Sequence, residues 1–314
     1  MNFDILIGMA DNWMNTLDKR RLEAFVQLSK ELNFTRAARL LNITQSTLSA
    51  AIRTLEIELD VVLFERSTRS VALTDHGRLF LPHARTAISA LDSAKSSVSP
   101  SGGLRGSLTV GMLNGLRMID IPALAGDFHR RHPDVQLRLE AARRGTDELV
   151  ERLGDGSVDI AFVGSNLTDK RLRVIPIRSY KLQLIIPSSH SLAKQRSVTL
   201  DQIAQEPFVD MPRGFGQRAA IDDAFTRQAL PRSVQIEVAE LKMIPDYVEH
   251  GLGIALLPPE LVPGARPGLT VIPLRDVEIE WTLSVVVKAV EATSRTVSAF
   301  LHLIPQYTSS DHPF

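Results

Sequence analysis

Cysteine is absent from the 314 residues, which excludes disulfides, thiolate metal sites and a cysteine nucleophile and fits a reducing compartment. No apolar run reaches the roughly 18 residues a membrane-spanning helix requires. Nor does the N-terminus carry a basic stretch leading into a signal core, so the chain is expected in the cytoplasm, away from the membrane. Net charge is missing too: 36 Lys and Arg balance 36 Asp and Glu, unlike a nonspecific polyanion binder. Enzyme signatures are equally scarce. There is no GxSxG elbow and no Walker loop. GLGIAL, from Gly251 to Leu256, lacks the third glycine of a dinucleotide site and reads as a helix end before a strand. His129 and His132 lie three apart without an evident third ligand, and Asp159 and Asp210 stand alone in strand contexts. The chain is therefore expected to be no enzyme and to hold no metal or other cofactor. What it does have is length and 44% hydrophobic residues, enough for two or three compact units.

One segment concentrates information: Phe34 to Arg53, FTRAARLLNITQSTLSAAIR, reads as two short helices joined by a tight turn. Phe34, Ala37, Ala38 and Leu41 recur at helical spacing in the first, and Leu48, Ile52, Leu55 and Leu59 form one apolar stripe in the second. Thr44 can accept a backbone N–H as N-cap of the second helix. Asn42 can take the left-handed conformation that ends the first. Ala37, Ala38 and Ala51 are small where two helices cross closely. Gln45, Ser46, Thr47, Ser49 and Arg53 gather at and beyond the start of the second helix, where a helix in the major groove meets base edges and phosphates. A purely structural helical hairpin is the alternative for these twenty residues.

The flanks favour DNA reading. Leu22, Phe25, Leu28 and Leu32 give a third helix one apolar face. Downstream, DVVLFERSTRSVALT reads as a basic β-hairpin with Arg66 and Arg69 on a Ser/Thr-rich turn, placed for phosphate or minor-groove contact or, alternatively, simply solvated. From Leu17 to Thr74 there are nine Lys/Arg against seven Asp/Glu. Lys19, Arg20, Arg21, Arg36, Arg39, Arg53, Arg66 and Arg69 are available for one basic face.

After the hairpin, Thr74 and Asp75 start a long helix to about Val98. Phe80, Ala84, Ala87, Leu91, Ala94 and Val98 alternate steps of four and three, the 3.5-residue period of a two-stranded coiled coil. The seam is narrow, which favours dimerisation over packing onto its own domain, and Pro82 is expected to bend its first half. SSVSPSGGLRG then breaks the helix as a hinge.

The span LEAFVQLSKELNFTRAARLLNITQSTLSAAIRTLEIEL followed by LFERSTRSVALTDHG resembles the winged helix-turn-helix domain of the LysR-type transcriptional regulators. By that resemblance Thr35, Gln45, Ser46, Thr47, Ser49 and Arg53 fall where the family contacts DNA, and Arg66 and Arg69 fall on its wing. Three positions depart from the usual pattern: Ser46 replaces a frequent proline, Asp60 a frequent glycine, and Ala50 with Ala51 a pair that is often polar. Sequence choice then leans on Gln45, Ser49, the wing and DNA shape. Met1 to Trp13 lies outside the resemblance and Met14 just before its usual start, which points to an extension or an upstream start assignment.

From Ser107 onward, short β-prone runs alternate with amphipathic helices, an α/β pattern with a largely parallel sheet. The strands are SLTVGM, VQLRLEAA, DIAFVG, LRVIPI, KLQLIIP, PFVDM, VQIEVAE, GIALLP, LTVIPL and WTLSVVV. The helices are Asp120 to Arg131, Thr146 to Gly154, Gly216 to Gln228, Lys242 to His250 and Ser294 to Ile304. This half also resembles the family's effector domain, which is like a two-subdomain periplasmic binding protein. The expected organisation is an extension over 1–16, the winged domain over 17–74, the linker helix over 75–99 and a hinge over 100–106. Subdomain I covers 107–178 plus 276–307, and subdomain II 179–275.

Ligands in such folds sit at the carboxyl ends of strands, against helix N-termini. That selects Leu113, Asn114 and Gly115, then Arg143 to Thr146, then Gly164 to Asn166. In the second subdomain it selects Pro212, Arg213, Phe215, Gly216 and Gln217. The resemblance puts Asn114, Thr146 and Gln217 at or near family ligand positions and Gly164 where some members carry a carboxylate-binding arginine. Gly214 and Gly216 can equally serve only a turn, and Arg143 and Arg144 only a solvated edge. The expected effector is a small, partly apolar organic anion.

Two functions compete: a ligand-responsive regulator of promoter DNA, and a cytoplasmic small-molecule binding protein whose helical front end only dimerises it. For the first, the resemblance implies promoter DNA, RNA polymerase and a small-molecule co-inducer as partners, and a dimer through the linker helix assembling into a homotetramer.

Overall fold

The computed structural model describes residues 17–66, 70–97, 103–113, 119–164, 167–262, 266–289 and 294–308. Arg69, Val98, Asn114, Gly115, Ser165, Asn166, part of the expected hinge and the segment before Leu17 lie outside them. The chain divides into two units, residues 1–106 with 155–157, and 107–154 with 158–314.

In the first unit, α1 (Lys19–Glu31), α2 (Phe34–Leu40) and α3 (Gln45–Leu59) precede a hairpin of β1 (Phe64–Arg66) and β2 (Val71–Leu73), and α4 (Asp75–Ser97) follows. Local chemistry starts each of the first three helices: Asp18, Asn33 and Thr44 accept from the backbone N–H groups of Arg21, Arg36 and Thr47. Each such cap is worth about 1 kcal/mol. Asn42 takes the expected left-handed conformation, φ 54°, between α2 and α3. Phe25 is fully buried at the centre of the core, with its ring 5.5 Å from Phe64 and 5.1 Å from Phe80. Ala37 and Ala38 are buried where small side chains were required.

Two readings of this unit change. Leu32 leaves the apolar stripe: α1 ends at Glu31, and Leu32 turns left-handed at φ 47°, its N–H bonded to the Leu28 carbonyl, with 45% of its surface exposed. A left-handed residue with a Cβ is strained by roughly 1–2 kcal/mol, and asparagine tolerates the region better. Leu32→Asn is therefore expected to stabilise this unit by about 1 kcal/mol, read as a higher urea midpoint in circular dichroism. The linker helix also packs within its own unit. It runs unbroken through Pro82, and Ala84 is fully buried with Phe80 and Ala87 packed against this unit's own core, so the first half of the seam is a domain contact. Leu91, farther along, is 41% exposed.

The second unit begins with β3 (Gly106–Leu113), α5 (Ile121–Arg131), β4 (Val135–Ala142), α6 (Gly145–Gly154), β5 (Ile160–Gly164), β6 (Leu172–Lys181) and β7 (Gln183–Pro187). It continues with α7 (Leu200–Ile203), β8 (Pro207–Asp210), α8 (Gly216–Arg227), β9 (Ser233–Glu237) and α9 (Ile244–Glu249). β10 (Ala255–Leu257), β11 (Leu269–Ile272), β12 (Glu280–Lys288) and α10 (Arg295–Leu303) complete it. All ten anticipated strands are present, but the sheets are mixed rather than largely parallel. Five strands run in the order β4-β3-β5-β12-β6 and three in the order β10-β7-β11, with β8 and β9 paired separately. The βαβ crossovers give parallel pairs, β3 with β5 and β8 with β9. β12 returns from the second subdomain antiparallel to both β5 and β6, and β10 and β11 both run antiparallel to β7. Period-two patterning reports burial, not strand direction. β6 extends past Arg178 to Lys181, which pairs with Glu280, so the chain passes between sheets at Leu182 and again between Ile272 and Glu280.

Candidate DNA-reading surface and ligand cleft

The apolar stripe of α3 holds the helix against its support, with Leu48, Ile52 and Leu55 fully buried. The opposite side of its first turn is polar and open. Gln45, Ser46, Thr47 and Arg53 are exposed and Ser49 is half-buried. Thr44 organises this turn, its hydroxyl lying 2.8 Å from both the Ser46 and Thr47 hydroxyls while accepting the Thr47 N–H at 3.1 Å. Thr35 is exposed in the first turn of α2. Ala50 is exposed on α3 and offers no polar group there.

The basic face is narrower than composition implied. Lys19 pairs with Asp92 and Glu23, Arg21 with Glu58 and Asp18, and Arg36 with Glu31. Arg66 turns back toward the reading helix instead of projecting from the wing. Its guanidinium donates to Ser49 Oγ at 3.3 Å and Glu56 Oε2 at 3.4 Å, and lies over the Phe34 ring at 4.8 Å. Glu56 also accepts the backbone N–H groups of Leu63 and Phe64, so Arg66 and Glu56 together join wing to helix. Sequence placed Phe34 only on the apolar stripe of its helix and did not single out Glu56, because nothing local indicates that either meets Arg66. Among the described residues of this unit, Arg20, Arg39 and Arg53 carry no ion pair.

In the second unit the selected loops converge from both subdomains. The Gly145 and Gly214 backbones approach so closely that a Cβ at 145 would lie 2.7 Å from the Phe215 ring and one at 214 would lie 2.7 Å from the Arg144 carbonyl. Phe215 is accordingly buried at 2% exposure, and Leu113 packs against the apolar clusters of both subdomains. These two residues and Gly145 pack the two subdomains' loops together. Thr146 and Gln217, each 1% exposed, are the second residues of α6 and α8. Thr146 Oγ1 accepts the Gly164 N–H at 3.4 Å. Gln217 Nε2 donates to the Leu256 carbonyl at 3.1 Å, and its Oε1 is buried without a hydrogen-bond partner. No side chain caps α8.

Gly164 has a specific structural reason that spacing could not reveal. The Trp281 indole donates to the Gly164 carbonyl at 3.1 Å, and a Cβ at 164 would overlap Nε1 and the adjoining ring carbons. Trp281, missed as a functional residue, lies tilted against Tyr180 with ring centroids 5.6 Å apart and occupies the place where a longer side chain would begin. The arginines also separate. Arg144 is tied to Glu151 at 2.6 Å. Arg143 and Arg213 are exposed and have no ion pair among the described residues, and Pro212 is half-buried beside Arg213. Glu148 shapes this edge by accepting the Arg143 and Arg144 N–H groups at 2.8 and 2.9 Å. Burial pushes its pKa up, but these bonds and the Arg152 and Arg144 charges leave it below the usual value.

The isolated carboxylates are structural. Asp159 is held by the Thr109 N–H at 2.8 Å, and burial raises its pKa against that bond and the Lys288 charge. Asp210 lies in an ion cluster with Arg232 and Arg218. No group of three or more His, Cys, Asp or Glu that could hold a metal ion occurs among the described residues. No described helix is long and apolar enough to cross a membrane.

A sequence model of the bacterial regulatory helix-turn-helix protein, lysR family, matches residues 20–78. The model of the LysR substrate binding domain matches residues 101–309. An uncharacterized HTH-type transcriptional regulator, YybE of Bacillus subtilis, is 30% identical over 246 residues, covering 77% of this chain and 82% of its own. A full-length OxyR variant from Pseudomonas aeruginosa has the same fold at TM-score 0.73 and 22% identity, over 95% of this chain and 99% of that one. CbnR complexed with its target DNA matches at TM-score 0.57 and 20% identity, over 93% and 100%. Matched at both ends by the family's two domains, the chain belongs to the LysR-type transcriptional regulators, with a helix-turn-helix DNA-binding domain ahead of an effector-binding domain.

Proposed function

We propose that the first turn of α3 reads promoter DNA in the major groove in the cytoplasm, and that an organic anion in the cleft of the second unit modulates that binding. The observation that carries the reading is the exposed polar turn of Gln45, Ser46 and Thr47 on a helix whose other face is wholly committed to the core. Base choice falls on Gln45, Ser46, Thr47 and Ser49. Arg53, Arg69 and Thr35 anchor the backbone, and Arg66 fixes the wing while its remaining N–H groups reach phosphate. CbnR, of the same fold, was solved with its target DNA, which supports this use of the domain.

A dimer supplies two readers. An apolar groove of about 490 Å³ is lined by Leu17, Leu22, Phe80, His83, Ala84, Ala87, Ala90 and Leu91, and the α4 seam of a second copy has the matching small and apolar pattern. Leu91→Asp should reduce the sedimenting species to monomer while leaving the helical signal intact; an unchanged sedimentation coefficient would place the interface elsewhere. Two such dimers form the homotetramer, which presents bent promoter DNA to RNA polymerase. Effector binding shifts subdomain closure and so the placement of the readers, provided its affinity differs between the two states.

The effector reading rests on the uncapped N-terminus of α8 and on the unpaired Arg143 and Arg213 at neighbouring loops, which together favour negative charge. Footprinting on genomic fragments with the purified full-length protein tests the function. Discrete protected sites that weaken with added salt are expected, and some organic acid should alter their affinity or pattern. Binding without sequence preference would favour the small-molecule binding protein instead.

A further inference from the structure

We infer that the effector carries an O–H or N–H donor, received by Gln217 Oε1. This rests on the reading of the cleft as the effector site and narrows its ligand class from organic anions at large to those bearing a hydrogen-bond donor.

Gln217 is 1% exposed, and its amide orientation is set on one side because Nε2 donates to the Leu256 carbonyl. Oε1 must then point away from that carbonyl, and it finds no donor. Buried acceptors are almost always satisfied, because leaving one dry forfeits its hydration without replacement. A purely structural glutamine at this position needs only its amide N–H.

The orphan oxygen sits in the first turn of α8, a twelve-residue helix whose N-cap Phe215 provides no side-chain acceptor. α8 also packs against β5 and β12 of the other sheet, so this turn lies between the subdomains. The first turn of α8 therefore combines uncapped backbone donors, suited to a carboxylate, with one buried acceptor that a plain carboxylate cannot satisfy. Leu113 and Phe215 supply only apolar contact there. A hydroxylated or aminated acid meets both demands, and an unsubstituted acid leaves Oε1 dry. Polar sites discriminate strongly against ligands that leave their buried groups unpaired.

The test uses matched probes on the full-length protein by calorimetry: propionate, lactate, alanine and propanediol, and cyclohexanecarboxylate, hydroxycyclohexanecarboxylate and cyclohexanediol. At least one donor-bearing acid should bind tenfold or more tightly than its unsubstituted partner. Lactate against alanine separates an O–H from an N–H donor. Gln217→Met should abolish the advantage, bringing the donor-bearing acid and its unsubstituted partner to the same affinity. Equal affinity within each matched pair overturns the inference while leaving the organic-anion reading intact. Diols that match the hydroxy acids, with the same dependence on Gln217, support the donor and retire the anion. No binding by any donor-bearing probe also overturns the inference. Should Gln217→Met fail to fold, the comparison of matched pairs on the unsubstituted protein decides by itself.

Discussion

Gln45→Ala combined with Arg53→Ala is expected to weaken binding to the protein's own operator by on the order of a hundredfold or more at physiological salt, with little change in stability. A base contact of the kind Gln45 can make is worth about 1–3 kcal/mol, and loss of one phosphate contact by Arg53 lowers the salt slope by about 1. Both residues are exposed and neither supports the core, so the urea midpoint should move by no more than about 0.5 kcal/mol equivalent. Arg66→Ala would be a poorer test. Its guanidinium holds Ser49, Glu56 and the face of Phe34, so lost affinity could come from a displaced wing as easily as from a lost phosphate contact. Fluorescence anisotropy across a salt series separates the cases: Arg53→Ala alone should flatten the slope, whereas Gln45→Ala alone should lower affinity and relax base preference at one position without changing it.

Gly164→Ala is expected to destabilise the effector-binding unit by about 1–3 kcal/mol, as overpacking does in a closed interior. The added methyl would overlap the Trp281 indole, which is itself 4% exposed and bonded to the Gly164 carbonyl. The clash explanation makes a stricter demand. In a Trp281→Ala background, itself costly by about 3–5 kcal/mol, Gly164→Ala should cost close to nothing, because the two residues are in contact and their effects cannot add. Urea unfolding followed by circular dichroism measures both. An equal cost in the two backgrounds would mean that Gly164 is needed for another reason. The same overlap explains why an arginine cannot enter at 164 here, so in the proposed effector site an anion is left to the α8 N-terminus and to the unpaired Arg143 and Arg213.

The parts legible in the sequence were those decided by neighbours within a few residues. Thr44 caps α3 and Asn42 turns the chain because both effects are local. Leu48, Ile52 and Leu55 are buried because one helical face must be. The same periodicity misplaced Leu32, whose spacing fits the stripe although the helix has already ended. It also treated Phe80 and Ala84 as a seam for a second copy, although apolar spacing alone does not say which apolar surface will cover a helix face. Asp60 shows the opposite case: it stands in for a frequent glycine and adopts the left-handed conformation, φ 52°, that explains why glycine suits the position.

Long-range meetings could not be anticipated. Trp281 lies 117 residues from Gly164, and only the antiparallel return of β12 beside β5 brings them together. Arg66 looked like a wing contact because its neighbours are polar, yet Phe34 and Glu56, from two helices, draw it inward. In the cleft, Thr146 and Gln217 could be chosen as first-turn residues of helices after strands. That one oxygen of Gln217 is left without a donor follows only from the hydrogen bond its nitrogen makes to Leu256.

The pairing of two exposed reading helices is measured most directly by hydroxyl-radical footprinting of the full-length protein on its own operator. Two protected patches on one face of the duplex are predicted, related by a dyad and centred about one helical turn apart, roughly 34–36 Å, both lost with Gln45→Ala and Arg53→Ala. Protection of a single half-site, or a footprint unchanged by those substitutions, would contradict the account.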